Sequence, residues 1–247
     1  KGTISFVVNS EKVVRMPSIG NFVTLDNESG IYYRVLYNTS WNTFMLLRMN
    51  NDLGRVAFDS SGTSNVYAGS TLDTYMNETF YNTLSTNIKN AMVANNISQG
   101  TYSLNSGTPS GTYYMKGTRE TSSTNYYITQ NSTTNVGSRK VYALDISDVK
   151  EYLGADNLSL PNINGMFFNT TGNTTVSYFN DSWLRSSYAA FSNHAWIAFG
   201  LNGDLGYTGV GNKLLARPAF LIDLSLVNFE EIDPSTISCG SLGNEGC

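Results

Sequence analysis

The hydrophobic period of the chain changes twice, and this limits the folds open to it. Between residues 22 and 49 the runs Phe22-Val23-Thr24-Leu25, Ile31 to Tyr37 and Phe44 to Met49 are β-branched, aromatic or aliphatic. Asp26-Asn27-Glu28-Ser29-Gly30 and Asn38-Thr39-Ser40 punctuate them, as turns punctuate a meander of strands. From residue 70 the spacing becomes helical. Leu72, Tyr75, Met76, Phe80 and Leu84 would share one face, with Ser70 or Thr71 as N-cap. A second helix follows Ser85, using Ile88, Met92 and Val93. Beyond residue 165 strands return at Met166-Phe167-Phe168, Val176 to Phe179, Ala195 to Phe199, Leu205 to Thr208 and Pro218 to Leu224. Asn202-Gly203 is a tight-turn signal among them. Strands, then helices, then strands describe a single α+β domain of twisted antiparallel sheets with two or three short helices.

Two stretches fall outside this pattern. Residues 99 to 137 are Gly, Ser, Thr, Asn and Tyr with hardly an aliphatic side chain, so they read as a long polar surface insert carrying one hairpin near Tyr113-Tyr114 and Tyr126-Tyr127. The core resumes at Val141-Tyr142-Ala143-Leu144. A short helix over 148 to 153 follows, capped by Ser147 and stopped by Gly154. The expected organisation is residues 1–19 as leading strands or the end of a stalk, 20–228 as the domain, and 229–247 as a C-terminal tail. Ile4 to Val8 and Val13 to Met16 would form the leading hairpin. The opening KGTISFVV is strand-like rather than a secretory leader, which fits a processed product or a fragment.

Composition narrows the function. Charged residues are only 14% of the 247, and 29 asparagines stand with many Ser and Thr in their place. The net charge of −4 and the lack of a basic stripe argue against nucleic acid. No apolar run approaches the roughly 18 residues that span a bilayer, so no membrane insertion is expected. Nine Asn-x-Ser/Thr triplets occur, a number that a chain so rich in these residues produces by chance. Cys239 and Cys247 sit in a Gly/Ser-rich tail. Paired, they would close a short loop worth about 2–3 kcal/mol; unpaired, they are two thiols on an end. Two cysteines do not make a tetrahedral metal site, and no cofactor is expected.

Catalytic motifs are missing. His194 is the only histidine, which excludes multi-histidine metal motifs, and no nucleophile elbow stands near it. Asp145 with Asp148, or Glu230 with Glu231, could be offered as a glycosidase pair; a helix cap and a solvated turn account for them better. Binding fits more of the chain. Aromatics mixed with Ser, Gly and Asn give contact area and adaptable hydrogen bonds, and residues 186 to 215 have that mixture.

The blocks around this stretch carry a resemblance. Ser182-Trp183-Leu184-Arg185-Ser186-Ser187, then Ala195-Trp196, Asn202-Gly203 and Ala216-Arg217-Pro218-Ala219-Phe220 follow one another. They resemble the C-terminal half of a family with the C-type-lectin fold found in bacterial surface and phage tail proteins. Tyr33-Arg34-Val35-Leu36, Ser70 to Asn77 with Phe80-Tyr81, and Val141 to Asp145 are similar to its earlier blocks. Some members are variable proteins of diversity-generating retroelements, and sulfatase-modifying (formylglycine-generating) enzymes share the architecture.

The resemblance implies a non-enzymatic receptor-binding adhesin domain on a phage tail or bacterial cell surface, with a binding face in residues 188–215. Its expected contacts are Tyr188, Phe191, Asn193, His194, Ile197, Phe199, Asn202, Asp204, Tyr207 and Asn212. Trp183 and Trp196, each able to bury up to roughly 250 Å², are expected anchors. Arg185 and Arg217 are expected to tie strand ends to carbonyls or carboxylates, with Pro218 at a strand start. The implied partner is a protein or glycan on a cell surface, and the implied assembly a homotrimer or a fusion to a stalk. The calcium motifs of sugar-binding C-type lectins are absent, as is the catalytic cysteine pair of the sulfatase-modifying enzymes. The alternatives are an enzyme related to formylglycine-generating or glycan-hydrolysing proteins, and a purely structural domain.

Overall fold

The computed structural model describes residues 15–107, 115–118, 125–152, 168–169, 176–177, 181–198, 205–237 and 241. The expected leading hairpin, the Gly154 stop, the Asn202-Gly203 turn and both cysteines lie wholly or mainly outside these residues.

The chain is α+β. In order it forms β1 (Phe22–Leu25), β2 (Tyr33–Asn38), β3 (Thr43–Arg48), β4 (Arg55–Ala57), the helices described below, β5 (Met92–Val93), β6 (Asn95–Ser106), β7 (Met115–Thr118) and β8 (Asn125–Arg139). Then come β9 (Phe168–Asn169), β10 (Val176–Ser177), β11 (Ser182–Tyr188), β12 (His194–Ala198), β13 (Leu205–Gly209), β14 (Lys213–Leu215), β15 (Ala219–Asp223) and β16 (Phe229–Ile232). One antiparallel sheet runs β16-β1-β2-β3-β15-β5; β9 and β10 pair alone. A second sheet runs β13-β12-β11-β6-β8-β7, with β14 joining β11 to β4. One apolar cluster spans both main sheets, and Trp183, Trp196, Tyr33, Tyr67 and Phe220 are among its fully buried members.

The helices begin where their caps predict. Ser70 accepts from the Asp73 amide and opens α1 (Thr71–Thr74), which passes through a π turn (Tyr75–Phe80) into α2 (Tyr81–Thr83). Ser85 caps α3 (Thr86–Ala91) in the same way. The cap of α4 (Ile146–Tyr152) is Asp145 rather than Ser147. Asp145 Oδ1 accepts from the Ser147 amide, and Asp148 Oδ2 accepts from the Asp145 amide, a reciprocal box.

Two expectations are corrected. The start of the segment from 99 is not at the surface: β6 lies in the middle of the second sheet, paired antiparallel to β8 and parallel to β11, and residues 99, 100 and 102 are buried, whereas most described residues of β8 are at least partly exposed. The buried residues at the centre of β6 reach partners outside the sheet: Gln99 bonds Asn65 and Tyr67, and the Gly100 amide and Tyr102 hydroxyl bond Asp145. Gln99 and Tyr102 are both buried. The tail also starts later than expected, since β16 is the edge strand beside β1 and Glu231 accepts from the Ser18 amide and the Asn21 side chain.

Candidate functional site

The anchors come first. Trp183 and Trp196 are fully buried. Trp183 Nε1 donates to the Val56 carbonyl at 2.8 Å, fixing β11 against β4, and its ring meets Phe58 edge-on. Arg185 Nε donates to Ser98 O and Nη1 to Ala143 O and Asp148 Oδ2, which joins β11, β6 and α4. Burial works against the Arg185 charge, but Asp148 and Asp145 more than offset it, and its pKa is raised. Arg217 Nη1 donates to Arg48 O and Met49 O and Nη2 to Asn51, locking the end of β3 to the start of β15; Pro218 stands just ahead of that strand.

From these anchors an aromatic ladder climbs to the surface. Tyr188 ends β11 and stacks on Tyr207 of β13 at 3.8 Å and 9°. Both rings meet buried Trp196 edge-on. Outward, Phe191 lies 5.9 Å from Tyr188 and 5.2 Å from His194. Exposure grades along the ladder from 0% at Trp196 through 8% at Tyr188 to 52% at Phe191. The Tyr188 hydroxyl is pushed up to about 12, first by burial and then by Tyr207.

The turn joining β11 to β12 carries Phe191, Asn193 and His194, and its main chain is held from outside. The Asn65 side-chain amide donates to the carbonyls of Tyr188 (3.1 Å), Phe191 (3.0 Å) and His194 (2.9 Å). Three acceptors for two protons require one shared bond. The Asn65 backbone amide donates to Ser192 O at 2.7 Å. Asn65 is fastened in turn by Gln99 of β6. The Gln99 amide donates to Asn65 O, and its oxygen accepts from the Tyr67 amide. Neither Asn65 nor Gln99 is recognisable from sequence, because their partners are carbonyls and amides distant along the chain.

Two further loops complete the face. Asp59 accepts from the amides of Ser61, Thr63 and Ser64 and from the Ser61 hydroxyl, which closes the loop before exposed Val66. The Ser61 hydroxyl is the largest cause of the lowered Asp59 pKa. The Asp59 amide donates to Val210 O, and the Val210 amide donates to Asn193 O. Asn212 is exposed and its side chain donates to Thr208 Oγ1.

The structure therefore gathers Phe191, Asn193, His194, Tyr207 and Asn212 on one face; Tyr188 is corrected, since it is buried and backs that face from within through its stack on Tyr207. Ile197 is corrected: it is 2% exposed and packs in the core, so it touches no ligand. Phe199, Asn202 and Asp204 lie outside the described residues. His194 Nδ1 faces Asn193 Oδ1 at 2.9 Å. Asp145 and Asp148 are engaged by the α4 cap and Arg185. Among the described residues no three His, Cys, Asp or Glu side chains come together, and no helix is long and apolar enough to cross a membrane.

A family model described as a domain of unknown function, DUF6273, matches residues 42–224, so the chain belongs to that family. No curated protein and no solved structure gives a significant match.

Proposed function

We propose that this DUF6273 protein is a non-enzymatic display domain of C-type-lectin-like fold, and that the face built from residues 188–212 binds a protein or glycan on a cell. The observation that carries the reading is the way the β11–β12 turn is held. Every bond from Asn65 to the turn ends on a main-chain carbonyl. The side chains of Ala189, Ala190, Phe191, Ser192 and Asn193 can then change while the backbone keeps its course. Such a device suits a surface whose chemistry varies on a fixed frame. The exposed Phe191 ring, backed by His194, Tyr207 and Tyr188, is the anchor such a surface needs.

The fold assignment draws support from the order of the blocks and from the interior positions of Trp183, Arg185, Trp196 and Arg217. The setting it implies is a phage tail or a bacterial surface, with diversification of the face by a retroelement.

The test is binding of the labelled domain to a panel of bacterial cells, scored for saturation. Phe191→Asp abolishes binding under this reading, whereas Trp41→Ser, on a distant hairpin tip, leaves it intact. Equal binding by the two variants overturns it.

A further inference from the structure

A second site lies apart from the aromatic face. A cleft of about 270 Å³ opens between β6, β8 and the start of α4. Arg185 and Asp148 stand in its wall with bonding capacity to spare. Arg185 is 4% exposed, and its Nε and Nη1 are engaged, but Nη2 donates to no described residue. Asp148 accepts two bonds at Oδ2 and none at Oδ1 from described residues. Nη2 is not sealed from solvent, so it faces the cleft, where the oxygen of a water or of a ligand accepts from it.

The remaining lining sets the chemistry of that partner. Tyr142 accepts from the Asn95 side chain at 3.0 Å and keeps its own hydroxyl proton for donation. Ser98 and Thr133 add hydroxyls that both donate and accept, and Met45 and Tyr152 supply apolar surface. One arginine against two carboxylates, Asp145 and Asp148, leaves a formal charge of −1, which disfavours anions. The volume falls just under the range of about 300–1,000 Å³ usual for drug-sized ligands, so the space admits a single ring.

We propose that this cleft binds a small uncharged polyol of monosaccharide size. One hydroxyl accepts from Arg185 Nη2, and its neighbour donates to Asp148 Oδ1. An adjacent hydroxyl pair is the simplest uncharged group that meets a donor and an acceptor side by side while its carbon frame lies on Met45 and Tyr152.

The test uses the full chain labelled with ¹⁵N and titrated separately with D-glucose, D-galactose, N-acetyl-D-glucosamine and inorganic phosphate. The expected result is saturable shifts of the Ser98, Gly100 and Ser147 amides with at least one sugar and none with phosphate. Thr133→Trp, at an exposed position of β8 bordering the cleft, weakens that binding at least tenfold with the rest of the spectrum unchanged. Asn95→Ala, which leaves Arg185 and Asp148 in place, weakens it as well and serves should the tryptophan disturb β8. Phe191→Asp has no effect, which separates this site from the aromatic face. Failure of all three sugars to shift these amides, equal shifts with phosphate, or undiminished binding by both cleft variants overturns the proposal.

Discussion

The side-chain amide of Asn65 lies 2.9 Å from the carbonyl oxygen of His194, a residue 129 positions away. That bond and its two companions to Tyr188 and Phe191 make the β11–β12 turn part of the frame rather than a loose loop. The aromatic side chains on the turn contribute little to this fastening.

Asn65→Ala removes the donor and leaves three carbonyls to find water. It is expected to cost about 1–3 kcal/mol, the usual range for a partly buried bond whose partner is left behind. Asn65→Asp is expected to do worse, because a carboxylate cannot donate and brings negative charge to three carbonyl oxygens. Thermal unfolding measures the loss. Amide hydrogen exchange locates it, with faster exchange at His194 and Val210 and unchanged rates in β1 to β3.

Replacing side chains on the same turn should have the opposite outcome. The double variant Phe191→Ser, Asn193→Ala is expected to keep its stability within about 0.5 kcal/mol, the range for exposed sites free of buried bonds. Denaturant unfolding decides this, and a loss beyond 2 kcal/mol would place these side chains in the frame.

Gly100 has no room for a side chain. A Cβ there would lie 2.3 Å from Cε2 of Tyr102, whose hydroxyl bonds Asp145. Gly100→Ala is expected to push the Tyr102 ring away, break that bond and cost about 1–3 kcal/mol. Near-ultraviolet circular dichroism and thermal melting report both effects.

Asp145 gives a pH signature. Burial raises its pKa, but Arg185, the Tyr102 hydroxyl and the amides of Gly100 and Ser147 outweigh burial, and the net shift is downward from 3.8. A carboxyl with a folded value below its unfolded one stabilises the fold above the unfolded pKa, and the contribution fades as pH falls through the folded value. Asp145→Asn is therefore expected to cost about 1–3 kcal/mol at pH 7, as for weakening an acceptor shared by several buried donors. The gap from the parent protein narrows below pH 3.8, and urea melts at pH 7 and pH 2.5 read the difference.

The parts of the fold that showed in the sequence are those fixed by local chemistry. Ser70 and Ser85 cap helices because their hydroxyls reach amides three residues on, and the apolar runs of β1 to β3 reflect strands that are mostly buried. The strand β6 was hidden because most of its buried residues are not aliphatic. Gln99 and Gly100 sit inside through hydrogen bonds to Asn65, Tyr67 and Asp145, which no periodicity reveals. At the site, the anchors Trp183, Arg185, Trp196 and Arg217 were legible through the blocks that carry the family resemblance. The outward positions were harder to read, since β12 is buried on both faces: Ile197 looked as available as His194 yet lies in the core. Asn65 could not be found at all, being one asparagine among 29.

The most direct test of the account is a substitution library covering residues 189–193, scored in the same cells for folded protein and for ligand binding, with Asn65 and Arg185 scanned alongside. Most substitutions in the turn should preserve folding while redistributing binding, whereas those at Asn65 or Arg185 should lower the yield of folded protein. A turn that tolerates change no better than Arg185, or one whose changes never alter binding, would contradict it.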